Sequence, residues 1–113
     1  MSNDFNTRFD FFIGLTTQSG NQLDVHDVIQ DHVAPALADY GIDGFTITRT
    51  EGFWKGQREY SIVVTVFDSV ASGTHEYIAP SYPWQDGIAK RLARELDQET
   101  ILVSSTPCIA NLI

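Results

Sequence analysis

The residues of this 113-residue chain that could do chemistry are three histidines, one cysteine, a few spaced carboxylates and two tryptophans. His26 and His32 stand six positions apart, which on a helix turns them to well-separated sides, so they cannot share a metal without distortion. Asp27 and Asp31 share a helix face as an i,i+4 pair, an arrangement that reads as a solvated acidic face near a helix start rather than a cation site. Cys108 follows Pro107 in an apolar tail, where a thiol is inert. Glu51 and Glu59 flank a hairpin containing Trp54 and have the chemistry of general bases, but strand carboxylates ordinarily face solvent and nothing in the sequence orients these two. No nucleophile elbow, phosphate-binding glycine loop or dinucleotide fingerprint is present, so the sequence implies neither metal nor cofactor and leans away from an enzyme.

The elements that must position these residues follow from hydrophobic periodicity. Phe9, Phe11, Ile13 and Leu15 alternate with Arg8, Asp10, Phe12 and Gly14, the period-two pattern of a strand from Arg8 to Thr16. From Asp24 the period changes: Val25, Val28, Ile29, Val33, Leu37 and Tyr40 recur at helical spacing, with Gly41 as the C-terminal stop and a kink or break expected after Ala34 because Pro35 follows. Phe45, Ile47 and Phe53 share one face of a second strand, Lys55-Gly56-Gln57 reads as a hairpin loop, and Arg58 to Phe67, apolar on both faces, reads as a central strand. Ile88, Leu92 and Leu96 stack on a second helix that Pro83 opens. A last strand runs from Thr100 to Ser105, limited by Pro107, and the apolar segment 109–113 is expected to dock on the sheet or on a second subunit.

Strand, helix, strand, strand, helix, strand predicts an α+β fold: a ferredoxin-like βαββαβ domain spanning 8–113 behind an extended or disordered stretch 1–7. Its four-stranded antiparallel sheet is ordered 4-1-3-2, with two helices on one face. The other face then carries Phe12, Trp54, Val63 and Phe67, too apolar for ordinary solvated surface. Beside it runs a long connection, 68–83, with His75, Tyr77 and Tyr82 and with Trp84 just beyond it; connections of that length often carry function. Arg49 and Arg58 are the cations available to an anionic ligand.

The net charge of −8 opposes phosphate-backbone partners, and the segment Arg58-Glu59-Tyr60-Ser61-Ile62 lacks the second aromatic of an RNA-recognition strand, so nucleic acid is an unlikely partner. A single cysteine excludes an internal disulfide, the residues after Met1 do not form a signal peptide, and the longest apolar stretch is strand-length. A cytoplasmic protein with no membrane association is therefore expected.

Three segments, Phe11-Phe12-Ile13-Gly14-Leu15 through Gly20, Gly44-Phe45-Thr46 through Gly52-Phe53-Trp54, and Asp97-Gln98-Glu99-Thr100-Ile101-Leu102 through Pro107-Cys108, together resemble a family of small bacterial domains of unknown function. The resemblance spans residues 9–108 and implies a ferredoxin-like fold; it carries no catalytic residues across.

On these grounds we expect a non-enzymatic binding or interaction module, homodimeric, using the open sheet face or the 68–83 connection. The alternatives are a small-ligand protein holding a metabolite or nucleotide near Arg49 or Arg58, a cofactor-independent oxygenase-like enzyme, and an acidic inhibitor of a host protein from a phage or mobile element.

Overall fold

A computed structural model describes residues 5–69 and 83–113. The four strands are β1 (Phe5–Gly14), β2 (Thr46–Trp54), β3 (Gln57–Asp68) and β4 (Leu102–Ala110), all neighbours antiparallel, in the order β2-β3-β1-β4. One helix, α1, joins β1 to β2 and consists of α-helical Val25–Asp27, π-helical Val28–Val33 and α-helical Ala34–Asp39 in direct succession. The second, α2, is Pro83–Glu95. This is the ferredoxin-like α+β arrangement, with the expected strand order.

Alternation decides what each strand contributes. Phe9, Phe11 and Ile13 of β1 and Ile62, Val64 and Val66 of β3 are buried under α1 and α2, which present Val28, Val33, Ala36 and Leu37 and Ile88, Leu92 and Leu96 respectively. Burying a side chain of this size stabilises by about 1.5–3 kcal/mol relative to leaving it exposed, so this single interface holds the fold together. Trp84 belongs to it as well: its ring meets Phe9 edge-on at 4.6 Å and Phe11 at 6.1 Å, which ties the start of α2 to the central strand.

The structure departs from the sequence expectations at several places, beginning with β1, which starts at Phe5 and ends at Gly14 where a strand from Arg8 to Thr16 is expected. Pro35 does not break α1. The turn before it widens instead, with the Ala34 N–H donating to Ile29 O five residues back, so the proline ring is taken into a continuous helix through a π-turn. Asp24 caps this helix by accepting from the Asp27 N–H, and Gly41 (φ 77°) ends it: Gly41 N–H donates to Ala38 O and Ile42 N–H to Leu37 O, the paired bonds of a Schellman turn. The hairpin turn is two residues, Lys55 (φ 52°) and Gly56 (φ 77°), and Gln57 already belongs to β3. Finally, β4 runs through Pro107 to Ala110, because it is an edge strand and loses no ladder bond by lacking that N–H. The segment expected to dock thus begins as strand, while Leu112 and Ile113 are exposed.

Among the described residues no helix is long and apolar enough to cross a membrane.

Candidate functional site

The face of the sheet opposite the helices is not uniform. At its centre Asp10, only 8% exposed, accepts a 2.6 Å hydrogen bond from the Thr65 hydroxyl and is paired at 3.0 Å with Arg8 Nε. A carboxylate buried to this extent is tolerated because both a donor and a cation meet it. Toward one end lies Phe67, with Phe5 at 6.5 Å; toward the other lies Phe12, flanked by its pairing partners, the half-buried Val63 on β3 and the exposed Leu102 on β4.

Beyond Phe12 the sheet opens into a groove of about 950 Å³. Phe12 and Gly14 of β1, Glu59 and Ser61 of β3 and Leu102 of β4 reach it from the sheet, and the hairpin closes one side with Lys55, Gln57 and Arg58. The two remaining rims are the loop after β1, through Thr16, Thr17 and Gln18, and the loop after α2, through Gln98, Glu99 and Thr100.

These two loops are clasped together by Asp97. Its position, one residue past the last turn of α2, has a φ of 51°, where glycine is the usual occupant; Gln98 N–H donates back to Ala93 O to finish the helix. The carboxylate gives a physical reason for an aspartate here. It accepts from the Ser19 hydroxyl at 2.5 Å, the Ser19 N–H at 3.3 Å and Gln18 Nε2 at 3.3 Å, while its own carbonyl accepts from Gln18 N–H at 2.9 Å. The hydroxyl and amide of Ser19, more than any other group, hold the Asp97 carboxyl below the usual aspartate range.

Gly14 makes room for a carboxylate that lines the groove. A methyl group added there would collide with the Glu59 carboxylate and come within 3.2 Å of Gln98 Oε1, so the missing side chain is the space into which Glu59 leans. Gln98 spends its Nε2 on Thr16 O and Leu96 O, each at 3.3 Å, which fixes the amide orientation and leaves Oε1 on the Gly14 side. Glu59 itself has no hydrogen-bond or ion-pair partner among the described residues. Sequence reasoning weighed this carboxylate as a solvent-facing base with nothing to orient it. The orienting feature is a glycine on the neighbouring strand, since Gly14 lies opposite Ser61, two residues along β3 from Glu59, and periodicity alone does not reveal that contact.

The remaining sequence candidates are dispersed. Arg58 lines the groove, with Nε paired to Glu51 at 2.7 Å. Arg49 lies in a separate hollow of about 330 Å³ with His26, Asp24 and Tyr60. Trp84 is packed on the aromatic core, Phe67 lies at the far end of the sheet, Val63 pairs with Phe12 beside the groove without lining it, and Trp54 ends β2 with its side chain outside the described ones. His75, Tyr77 and Tyr82, and the 68–83 connection from residue 70 to 82, lie outside the described residues. His32 accepts no metal role here: its Nδ1 is 2.8 Å from Glu95, which also bonds Arg91, itself paired with Asp39 at 2.5 Å, a brace between the two helices. The His32 bond, with help from Arg91, keeps the Glu95 carboxyl below its ordinary range. Among the described residues no group of three or more His, Cys, Asp or Glu side chains could hold a metal.

No protein-family model matches the chain, and no curated protein sequence matches it. Solved structures do. A phage SAM lyase in complex with S-methyl-5'-thioadenosine superposes with a TM-score of 0.71 at 16% identity, covering 97% of this chain and 86% of that one. A phage SAM lyase in the apo state gives 0.72 at 17% identity over 95% and 84% of the two chains. This likeness contradicts the expectation of a non-enzymatic interaction module and the leaning away from an enzyme: both of these solved proteins, which share the fold over nearly the whole chain, are lyases, one of them in complex with a small nucleoside. The expectation went astray because it required a catalytic motif local in sequence, whereas the polar groups of the groove come from β3 with its hairpin turn and from two loops far apart in the chain. What the superposition establishes is the shared fold.

Proposed function

We propose that this protein is an enzyme that cleaves a sulfonium nucleoside of the S-adenosylmethionine type, and that the groove beyond Phe12 is where it does so. The observation that carries the reading is the likeness to phage SAM lyase over 97% of the chain, coupled to a groove of about 950 Å³ at one end of the open sheet. That volume is within the range of roughly 300–1,000 Å³ typical of small-molecule sites. Phe12 and Leu102 offer apolar surface to an adenine ring, and Ser61, Gln98 and Glu59 offer polar contacts.

S-methyl-5'-thioadenosine is S-adenosylmethionine without its four-carbon amino-acid portion, so the bond that breaks is the one from sulfur to the γ-carbon. Its electron pair stays on sulfur, and the sulfonium becomes a neutral thioether. The carbon fragment closes in one of two balanced ways: its own carboxylate oxygen attacks the γ-carbon to give a lactone, with no proton taken by the protein, or a base removes a β-proton to give an alkene. Neither closure needs an oxidant, a reductant or a second substrate. For the lactone the groove has to supply only a conformation, and for the alkene it has to supply the base as well.

The test is to incubate the purified protein with S-adenosylmethionine and follow the nucleoside products by liquid chromatography. Time-dependent release of S-methyl-5'-thioadenosine, proportional to protein, is the expected result. Substrate left intact by folded protein over many hours, beyond its spontaneous decay, overturns the reading.

A further inference from the structure

We infer that Glu59, seated over Gly14 beside Gln98 Oε1, is the group that recognises the positive charge of the substrate and so separates substrate from product. The inference rests on the sulfonium-cleaving reading and adds to it a specificity-determining residue.

Two oxygen acceptors approach the space over Gly14: Gln98 has committed its amide nitrogen to two backbone carbonyls, and Glu59 has no hydrogen-bond or ion-pair partner among the described residues. Such a pair is electrostatically unfavourable until a cation enters. A sulfonium ion suits it: it carries no hydrogen-bond donor and binds by charge, and it is more weakly hydrated than an ammonium. Lys55 and Arg58 also line the groove, but Arg58 is already paired with Glu51, and the cations sit on the hairpin rather than over Gly14.

The chemistry then fixes the sign of the effect. As the bond to the γ-carbon breaks, the charge on sulfur disappears, so a carboxylate beside it stabilises the substrate more than the transition state and does not hold the neutral thioether product. Glu59 is therefore a group of capture and release: it lowers KM and favours exchange of product for substrate, and it does not accelerate the bond-breaking step.

Two uncleavable probes differ in charge at this position. Sinefungin carries a protonated amine where the sulfonium stands, and S-adenosylhomocysteine a neutral thioether; the two share the nucleoside and amino-acid ends. Calorimetric titration of the wild type is expected to favour sinefungin, and Glu59→Gln to reduce that preference roughly tenfold with binding of S-adenosylhomocysteine unchanged. In turnover, Glu59→Gln should raise KM with kcat undiminished. Gly14→Ala, which places a methyl where the carboxylate sits, should cause the same loss of preference. An unchanged ratio of the two affinities in Glu59→Gln overturns the inference, and if kcat collapses at the same time Glu59 is a base instead. A wild type that releases thioadenosine but shows no preference overturns the inference alone. A wild type that neither cleaves S-adenosylmethionine nor binds either probe overturns the functional reading with it.

Discussion

The two faces of β1 are made by alternate residues of one strand, yet they have little in common. Phe9, Phe11 and Ile13, turned to the helices, are 0–2% exposed and interchangeable in kind: each is apolar, large and surrounded. Arg8, Asp10, Phe12 and Gly14, turned the other way, each do something different. Two form an ion pair of an exposed arginine with a buried carboxylate, one is a 40%-exposed aromatic at the edge of a groove, and one is an absence that admits a carboxylate from β3. Packing demands uniformity of a face, and a binding site demands heterogeneity, so the irregular face is where function is to be sought.

The sharpest way to break this contrast is to truncate neighbours on the two sides. Phe11→Ala opens a cavity in the middle of the helix-covered core and is expected to destabilise by about 3–5 kcal/mol, read as a shift of the urea midpoint at constant slope. Phe12→Ala, one residue away, is expected to cost under about 1 kcal/mol while weakening nucleoside binding. If the two variants lost similar stability, the open face would be a second structural core and not a site.

Acid titration sharpens the comparison at the level of the loops. Asp97 at the groove rim and Glu95 on the helix side both have folded-state pKa values below their ordinary ones, for different reasons: Ser19 in one case, His32 and Arg91 in the other. In both, the unfolded chain takes up protons first as the pH falls. Their contribution to stability is therefore complete above the ordinary carboxylate pKa and is lost as the pH drops through the lowered folded values. Denaturation midpoints measured from neutral pH downward should fall through this acid range. Asp97→Gly should flatten part of that dependence, since glycine keeps the helix-terminating backbone at position 97 and removes the clasp to Ser19. An unaltered acid dependence in that variant would mean that the clasp contributes nothing.

The fold was legible because it is written in periods. Alternation in β1 and β3 and the four-residue stack Ile88, Leu92, Leu96 name the core residues individually, and the order of the elements gives the sheet. Boundaries were less so: Pro107 signals an end only for a central strand, and Pro35 breaks only a helix that cannot widen its turn. The site was the least legible part. Phe12 and Arg58 were identifiable as an out-of-pattern aromatic and an available cation. Glu59, Gln98 and the clasping Asp97 were not, because their roles arise from Gly14, Thr16 and Ser19, more than forty positions away in the chain and brought close only by the antiparallel register and the loop packing.

The central claim is that the groove beyond Phe12, and not the helix-covered side, is where this protein meets a nucleoside. The most direct measurement is a titration of the isotope-labelled protein with S-methyl-5'-thioadenosine, followed through its backbone amide resonances. Saturable shifts concentrated at Gly14, Ser61, Gln98 and Leu102, with Val33, Leu37 and Leu92 unmoved, are the result this account predicts. Shifts centred on the helices or on the Arg49 hollow, with the groove amides silent, would contradict it.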